Sequence, residues 1–125
     1  MKTVRKILGD KGEKLAAEYL KRKGYTIRGR NYQKTWGEID IIASSPDETL
    51  VFVEVKTVTG KNPGISAEDL LTSSKLYKLV KICSFYSNDP SLQKYIKEDT
   101  GWRIDAITLT IDEKDCDIRH YENIV

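Results

Sequence analysis

The sequence predicts an α/β domain in which a central mixed β-sheet is flanked by helices, and three observations carry that expectation. Leu50, Val51, Phe52, Val53 and Val55 are apolar on both alternating faces, the pattern of a strand covered on two sides. Segments of helical period stand before and after it, with Leu15, Ala16, Tyr19 and Leu20 on one and Leu70, Leu71, Leu76, Leu79, Val80, Cys83 and Tyr86 on the other. Four further stretches, 25–32, 36–43, 102–111 and 116–121, are rich in strand-forming residues.

Taken in order, the first helix is expected from about Lys11 to Lys23, with Gly24 as its stop because a left-handed residue after a helix favours Gly. Glu13 lies in its first turn, where the helix dipole by itself favours a carboxylate. Tyr25 to Tyr32 sets Tyr25 and Ile27 against Thr26, Arg28 and Arg30, a strand with one buried face. In the next strand, Trp36 to Ala43, Ile39 and Ile41 share one face and Glu38, Asp40 and Ile42 the other. The turn cluster 44–48 then joins it to the central strand Thr49–Val58 as an antiparallel hairpin, which sets Asp40 near Glu54. A loop follows over 59–65, then a long helix capped at Ser66 or restarting at Thr72. Asp89-Pro90 opens a short helix with Leu92, Tyr95 and Ile96 on one side. Trp102–Ile111 and a weaker Cys116–Tyr121 complete the layout α-β-β-β-α-α-β-β.

With 125 residues and 39% hydrophobic content, the chain suits one domain spanning 1–125 with a core of its own. No apolar run approaches the ~20 residues that span a bilayer, and the start is basic without an apolar signal segment, so a cytoplasmic protein with no membrane partner is expected. Cys83 and Cys116 are far apart and outside any C-x-x-C pattern, which predicts two reduced, structural thiols. A single histidine, His120, argues against a His-based zinc site or His-dependent base chemistry and reads as structural. The net charge of +2 hides an asymmetry: residues 1–34 hold eleven Lys and Arg against three acids, and residues 35–125 ten against sixteen. The basic third is either a polyanion-binding face or a solvated helix face. Arg28, Arg30 and Lys34 within it, and Lys75 near a helix start, are the candidate phosphate contacts. Trp36 and Trp102 either stack on unpaired bases or fill space.

The chemistry is concentrated where the central strand stops being apolar. Leu50, Phe52, Glu54 and Lys56 share a face, so a carboxylate and an ammonium emerge side by side at the end of a buried run. With Asp40 across the hairpin, Glu54, the Val55 carbonyl and Lys56 suit Mg²⁺-dependent phosphodiester cleavage, since Mg²⁺ takes one or two carboxylates plus waters and phosphate. Mn²⁺ suits the same oxygens. The alternative is a structural Glu-Lys pair at a strand end. An acid-x-lysine triplet is weak by itself: Asp112-Glu113-Lys114 has the same spacing in a turn. Glu38 is a candidate supporting acid or a strand-edge ion pair, and Asp105 a local partner of Arg103.

Gly12-Glu13 before Leu15-Ala16-Ala17-Glu18-Tyr19-Leu20, then Gly24-Tyr25, Arg30-Asn31, Gly37-Glu38-Ile39-Asp40, Phe52-Val53-Glu54-Val55-Lys56-Thr57, Lys75, Arg103-Ile104-Asp105 and the His120 region together resemble the YraN-like family. That family is of bacterial proteins with a restriction-endonuclease-like core, similar to archaeal Holliday junction resolvases. The resemblance implies the PD-(D/E)xK fold, with Asp40, Glu54 and Lys56 in a metal-dependent site and Glu13 as a fourth acidic member. Ile39 stands where the superfamily's name places Pro, and Val58 where relatives often carry Arg. The resemblance also implies a structure-selective DNA endonuclease, acting on branched DNA as a symmetric dimer. Two other classes remain open: a nucleic-acid-binding module that keeps the fold without turnover, and a protein-interaction adaptor.

Overall fold

Thr3 starts the chain's first element by accepting the Lys6 backbone N–H on its hydroxyl, and helix α1 (Val4–Arg22) follows from there. The helix thus begins well before Lys11, where its apolar stripe begins. The reason is that Val4 and Ile7 remain exposed, so the first turns bury no face that periodicity can register. Its end is as expected, with Lys21 and Arg22 in the last turn and Gly24 left-handed at φ 91°. The computed structural model describes residues 2–60, 71–91 and 101–125.

Strands β1 (Thr26–Lys34), β2 (Gly37–Ser44) and β3 (Leu50–Thr59) follow as two hairpins. Helix α2 (Ser73–Ser87) is capped by Thr72, whose hydroxyl accepts the Lys75 N–H, so the restart expected at Thr72 is present. The 59–65 loop beyond Gly60, the Ser66 start, Leu70 and the helix bearing Leu92, Tyr95 and Ile96 fall outside the described residues. β4 (Trp102–Ile111) and β5 (Cys116–Tyr121) close a five-stranded sheet of order β1-β2-β3-β4-β5. β3 and β4 run parallel and every other pair antiparallel, so the sheet is mixed.

Each face of the sheet carries its own core. Ala16, Ala17 and Leu20 of α1 pack on Ile41, Val51, Val53 and Ile107, while Leu79, Ile82, Cys83 and Tyr86 of α2 pack on Ile39, Ile42, Leu50 and Phe52. The doubly apolar β3 is therefore covered on both sides, and full burial of a side chain such as Phe52 is worth about 1.5–3 kcal/mol. Cys83 is buried as expected, but Cys116 is exposed at the start of β5.

The alternation expected for β2 is broken. Ile41 lies in the α1-side core, whereas Ile39 joins Ile42 in the α2-side core. Ile39 and Ile41 do not share a face, and the cause is local. Asn31 of β1 is left-handed (φ 55°), and neither it nor Asp40 takes part in a ladder that runs otherwise in one register from Gly29↔Ile42 to Lys34↔Gly37. Both strands turn over at this point, so Arg30 and Ile41 face α1 while Tyr32 and Ile39 face α2.

α1 touches β3 through Gly12, where an added Cβ would stand 1.8 Å from Thr57 Oγ1 and 3.0 Å from Thr57 Cβ. Hydroxyl rotation alone does not clear the second contact. Gly12→Ala is expected to lower stability by about 1–3 kcal/mol through overpacking, read as a reduced urea midpoint with an unchanged slope.

Candidate active site

The two central hairpin strands pair only in part. The β2–β3 ladder runs from Ser44↔Leu50 to Ile41↔Val53 and goes no further, while β1–β2 pairing continues to Lys34↔Gly37 and β3–β4 pairing to Thr59↔Ile111. The sheet therefore forks, with one arm made of β1 and β2 and the other of β3 and β4. Asp40 is the first residue beyond the last pair, and its Oδ2 accepts the Val55 backbone N–H at 2.8 Å. A side chain replaces the missing ladder bond. The sequence points to the Val55 carbonyl; the Val55 group bonded to Asp40 is its N–H.

Four acids surround this point. Asp40 is 7% exposed, and its carboxyl is pushed up to about 8, chiefly by burial and next by the Glu54 charge. The Val55 N–H opposes the rise, and Glu13 and Glu38 add to it. Glu13 approaches from α1 and Glu54 from the α2 side, so the acids come from different layers. The Glu13 carboxyl is also raised, first by burial, with Arg30 opposing. Its Oε1 is buried without a hydrogen-bond partner among the described residues, and Arg30 Nη2 stands 3.9 Å away. Glu54 is better served, with Lys56 Nζ 3.1 Å from its Oε1.

On the α2 side a cleft of about 210 Å³ opens between the arms, lined by Gly37 and Glu38, Glu54 and Lys56, and Lys75 and Lys78. Of the four candidate phosphate contacts, only Lys75 lies here. Arg30 is on the α1 face with Glu13, Arg28 donates to Ser44 Oγ (3.0 Å) toward the turn end, and Lys34 lies over the Tyr32 and Phe85 rings. Lys78 was not singled out in the sequence, although it lies three residues from Lys75 and so on the same helical face. Glu38 is held by Gln33 Nε2 at 2.9 Å.

The profile of the uncharacterised protein family UPF0102 matches residues 12–109, a span that takes in Glu13, Asp40, Glu54, Lys56 and Lys75. The chain belongs to this family. UPF0102 is the YraN family that the motifs resemble. It is similar to the UPF0102 protein of Roseiflexus castenholzii, 38% identical over 104 residues that cover 83% of this chain and 79% of that one. The UPF0102 protein of Herpetosiphon aurantiacus is 38% identical over 124 residues, 96% of this chain and 94% of its own. Among solved structures, Pyrococcus furiosus SfsA in complex with Ca²⁺ aligns at a TM-score of 0.40 and 17% identity, over 93% of this chain and 62% of the SfsA chain. Among the described residues of this UPF0102 chain, no helix is long and apolar enough to cross a membrane.

A second polar cluster lies on the same sheet. Asp105, fully buried, is 3.0 Å from Arg103 Nε and 2.7 Å from His120 Nε2, and accepts the Asn123 N–H at 2.9 Å. Arg103 Nη2 also donates to Tyr25 Oη (2.8 Å) and lies 3.7 Å from Glu122. Asp105, His120 and Glu122 offer ligand atoms within 4.8 Å of one another, closer than any such trio around Asp40 among the described residues. The guanidinium already supplies the positive charge between Asp105 and Glu122, so the cluster reads as a structural clamp. The expected Arg103–Asp105 pair is present, and His120 joins it. Burial pushes the Asp105 carboxyl up, but the bonds from His120, Arg103 and the Asn123 N–H outweigh it and hold it below its ordinary value.

Opposite pH responses follow. Asp40, whose folded value lies above the unfolded ~3.9, favours the folded state fully only below about pH 4, and that contribution is lost as pH rises through about 8. Asp40→Asn keeps an acceptor for the Val55 N–H and is expected to be more stable than the parent at pH 8, by about 1 kcal/mol or more, with the gap closing toward pH 4. Urea denaturation at both pH values reads it. Asp105 is depressed, so its contribution is present above the unfolded value and is lost as pH falls. Arg103→Met is expected to cost about 3–5 kcal/mol near neutral pH. Adding Asp105→Asn should recover part of that loss in a double-mutant cycle.

Proposed function

We propose that this chain is a Mg²⁺-dependent, structure-selective endonuclease that hydrolyses phosphodiester bonds in branched DNA, on a restriction-endonuclease-like PD-(D/E)xK core. The observation that carries the reading is the fork between β2 and β3, where the buried Asp40 carboxyl has the Val55 N–H as its hydrogen-bond donor and lies in the field of Glu54 and Glu13. An orphaned buried carboxylate oxygen on Glu13 and an Asp40 carboxyl raised to about 8 are what a site made for a divalent cation presents without one. All the donors are oxygens, which suits Mg²⁺ or Mn²⁺ over softer metals.

Asp40, Glu54 and Glu13 would hold the ion, with the Val55 carbonyl as a further oxygen donor. Bound there, Mg²⁺ supplies positive charge that polarises a phosphoryl oxygen and acidifies water. Asp40 is oriented by the Val55 N–H, and Glu54 by Lys56. Lys56, which lines the cleft, would hold the attacking water or neutralise charge developing at phosphorus. Lys75 and Lys78 on the opposite wall fit the flanking phosphates. A symmetric dimer would set two such sites on two strands of a junction.

The Glu54–Lys56 pair favours one competing reading, since it satisfies both charges with no metal: a nucleic-acid-binding module without turnover. Cleavage of labelled four-way-junction, flap and linear DNA in Mg²⁺ or Mn²⁺ separates the two. The nuclease reading expects cleavage that EDTA abolishes and that Asp40→Ala, Glu54→Ala and Lys56→Ala each reduce about 100-fold or more. Mg²⁺ should raise the melting temperature of the parent and not of Asp40→Ala. Junction binding without cleavage, unchanged in Lys56→Ala, would establish the binding module.

A further inference from the structure

Next to the cleft, the turn between β1 and β2 rests on α2. Lys34 pairs with Gly37, leaving Thr35 and Trp36 as the two turn residues. Gly37 seats the turn closely, since an added Cβ would stand 3.3 Å from Ile82 Cδ1. That seat brings Trp36 edge-to-face onto Phe85, ring centroids 5.4 Å apart with planes at 85°. Neither ring belongs to a core cluster, and they remain 37% and 47% exposed. Space-filling in the core, the common reason for a large aromatic, does not account for this pair.

Ammonium groups gather on the same surface. Lys81 Nζ lies 5.2 Å over the Trp36 ring, and Lys34 Nζ lies 5.3 Å over Phe85 and 5.5 Å over Tyr32. Asp89 lies near enough to Lys34 to feel its charge, but its carboxylate is held by the Ser91 N–H (3.0 Å) and Oγ (2.8 Å). The surface is continuous with the cleft: Lys75, Lys78, Lys81 and Phe85 fall within about 120° of one another around α2 and run about 15 Å along it.

We propose that Trp36 and Phe85, flanked by Lys34 and Lys81, form a stacking platform for an unpaired base of a single-stranded DNA segment, whose backbone continues past Lys78 and Lys75 into the cleft. The inference deepens the nuclease reading and rests on it for the identity of the strand. Aromatic rings accept the π-face of any base, and neighbouring lysines gain by releasing counterions from phosphate, a combination that binds single strands without reading sequence. The ammoniums that cover the rings in the free protein are on flexible stems, so they can move to the phosphates while the base takes their place. A paired base keeps its faces in the duplex stack and cannot do this. The platform therefore selects substrates with an unpaired arm.

Binding of a labelled oligothymidylate, a single-stranded flap and a blunt duplex, measured by fluorescence anisotropy in EDTA so that nothing is cleaved, tests the proposal. Trp36→Ala and Phe85→Ala are expected to weaken oligothymidylate and flap binding about 5- to 150-fold and to leave the blunt duplex within about twofold. Trp36→Phe should retain most of the affinity while losing the tryptophan quenching expected of the parent, since Trp102 packs on Phe52 instead. Equal losses for single strand and duplex, or no loss for either, would overturn the platform. Circular dichroism confirms that the variants fold. A chain that cleaves nothing in Mg²⁺ yet loses only single-strand binding in Trp36→Ala retains the platform and loses the nuclease reading. One whose Trp36→Ala variant binds oligothymidylate and cleaves flaps as the parent does retains the nuclease reading and loses the platform.

Discussion

Neighbouring strands that part company leave backbone donors and acceptors without partners, and in a buried sheet each such group is costly. The parting of β2 from β3 after Ile41↔Val53 is therefore a constraint that its neighbours must answer. Asp40 answers it directly by accepting the Val55 N–H. In doing so it is fixed where the sheet opens, beside Glu54 and within the field of Glu13. The bond that repairs the sheet also places the acid. A carboxylate is suited to this because it can accept the amide with one oxygen while the other remains available.

The two buried aspartates on this sheet show how differently the same desolvation can be resolved. Asp105 meets a guanidinium, an imidazole and a backbone amide, and its carboxyl stays below its ordinary value. Asp40 meets one amide and three other acids, and its carboxyl rises to about 8. Burial alone does not separate them; the supply of positive charge does. One cluster is complete within the chain and holds the last strand to the sheet. The other has one backbone amide set against burial and the charge of neighbouring acids, and a cation from outside would oppose both.

Much of this was legible in the sequence. The two-sided apolarity of 50–55 foretold a strand covered by two helices, and the turn residues at 44–48 foretold the hairpin that opposes Asp40 to Glu54. What escaped were features with no local period. The first turns of α1 bury nothing, so only the cap at Thr3 marks them. The face reversal at Asn31 and Asp40 depends on one left-handed residue, Asn31 of β1, lying opposite Asp40 of β2, which alternation counted along a single strand cannot see. The Asp105 cluster joins residues from 19 to 123 and exists only once the β4–β5 register is set. Lys78 and the Trp36–Phe85 pair likewise needed the distance between a turn and a helix that are far apart in the chain.

A fork is useful only if its opening is held, and beyond the last β2–β3 pair no ladder bond between the two strands does so. Two glycines do this from opposite sides. Gly12 lets α1 close onto Thr57 of β3, and Gly37 lets β2 close onto Ile82 of α2. Each contact lies past the fork and ties one arm to a different helix. A side chain at Gly12 would push α1, and Glu13 with it, away from the β3 arm; one at Gly37 would meet Ile82 Cδ1 at 3.3 Å and press against α2. The positions of the acids relative to one another are thus set by close packing of backbone against side chain, which resists deformation more stiffly than the half-buried Glu54–Lys56 ion pair in the cleft. Precise placement of the carboxylates follows from where the chain has no side chain at all.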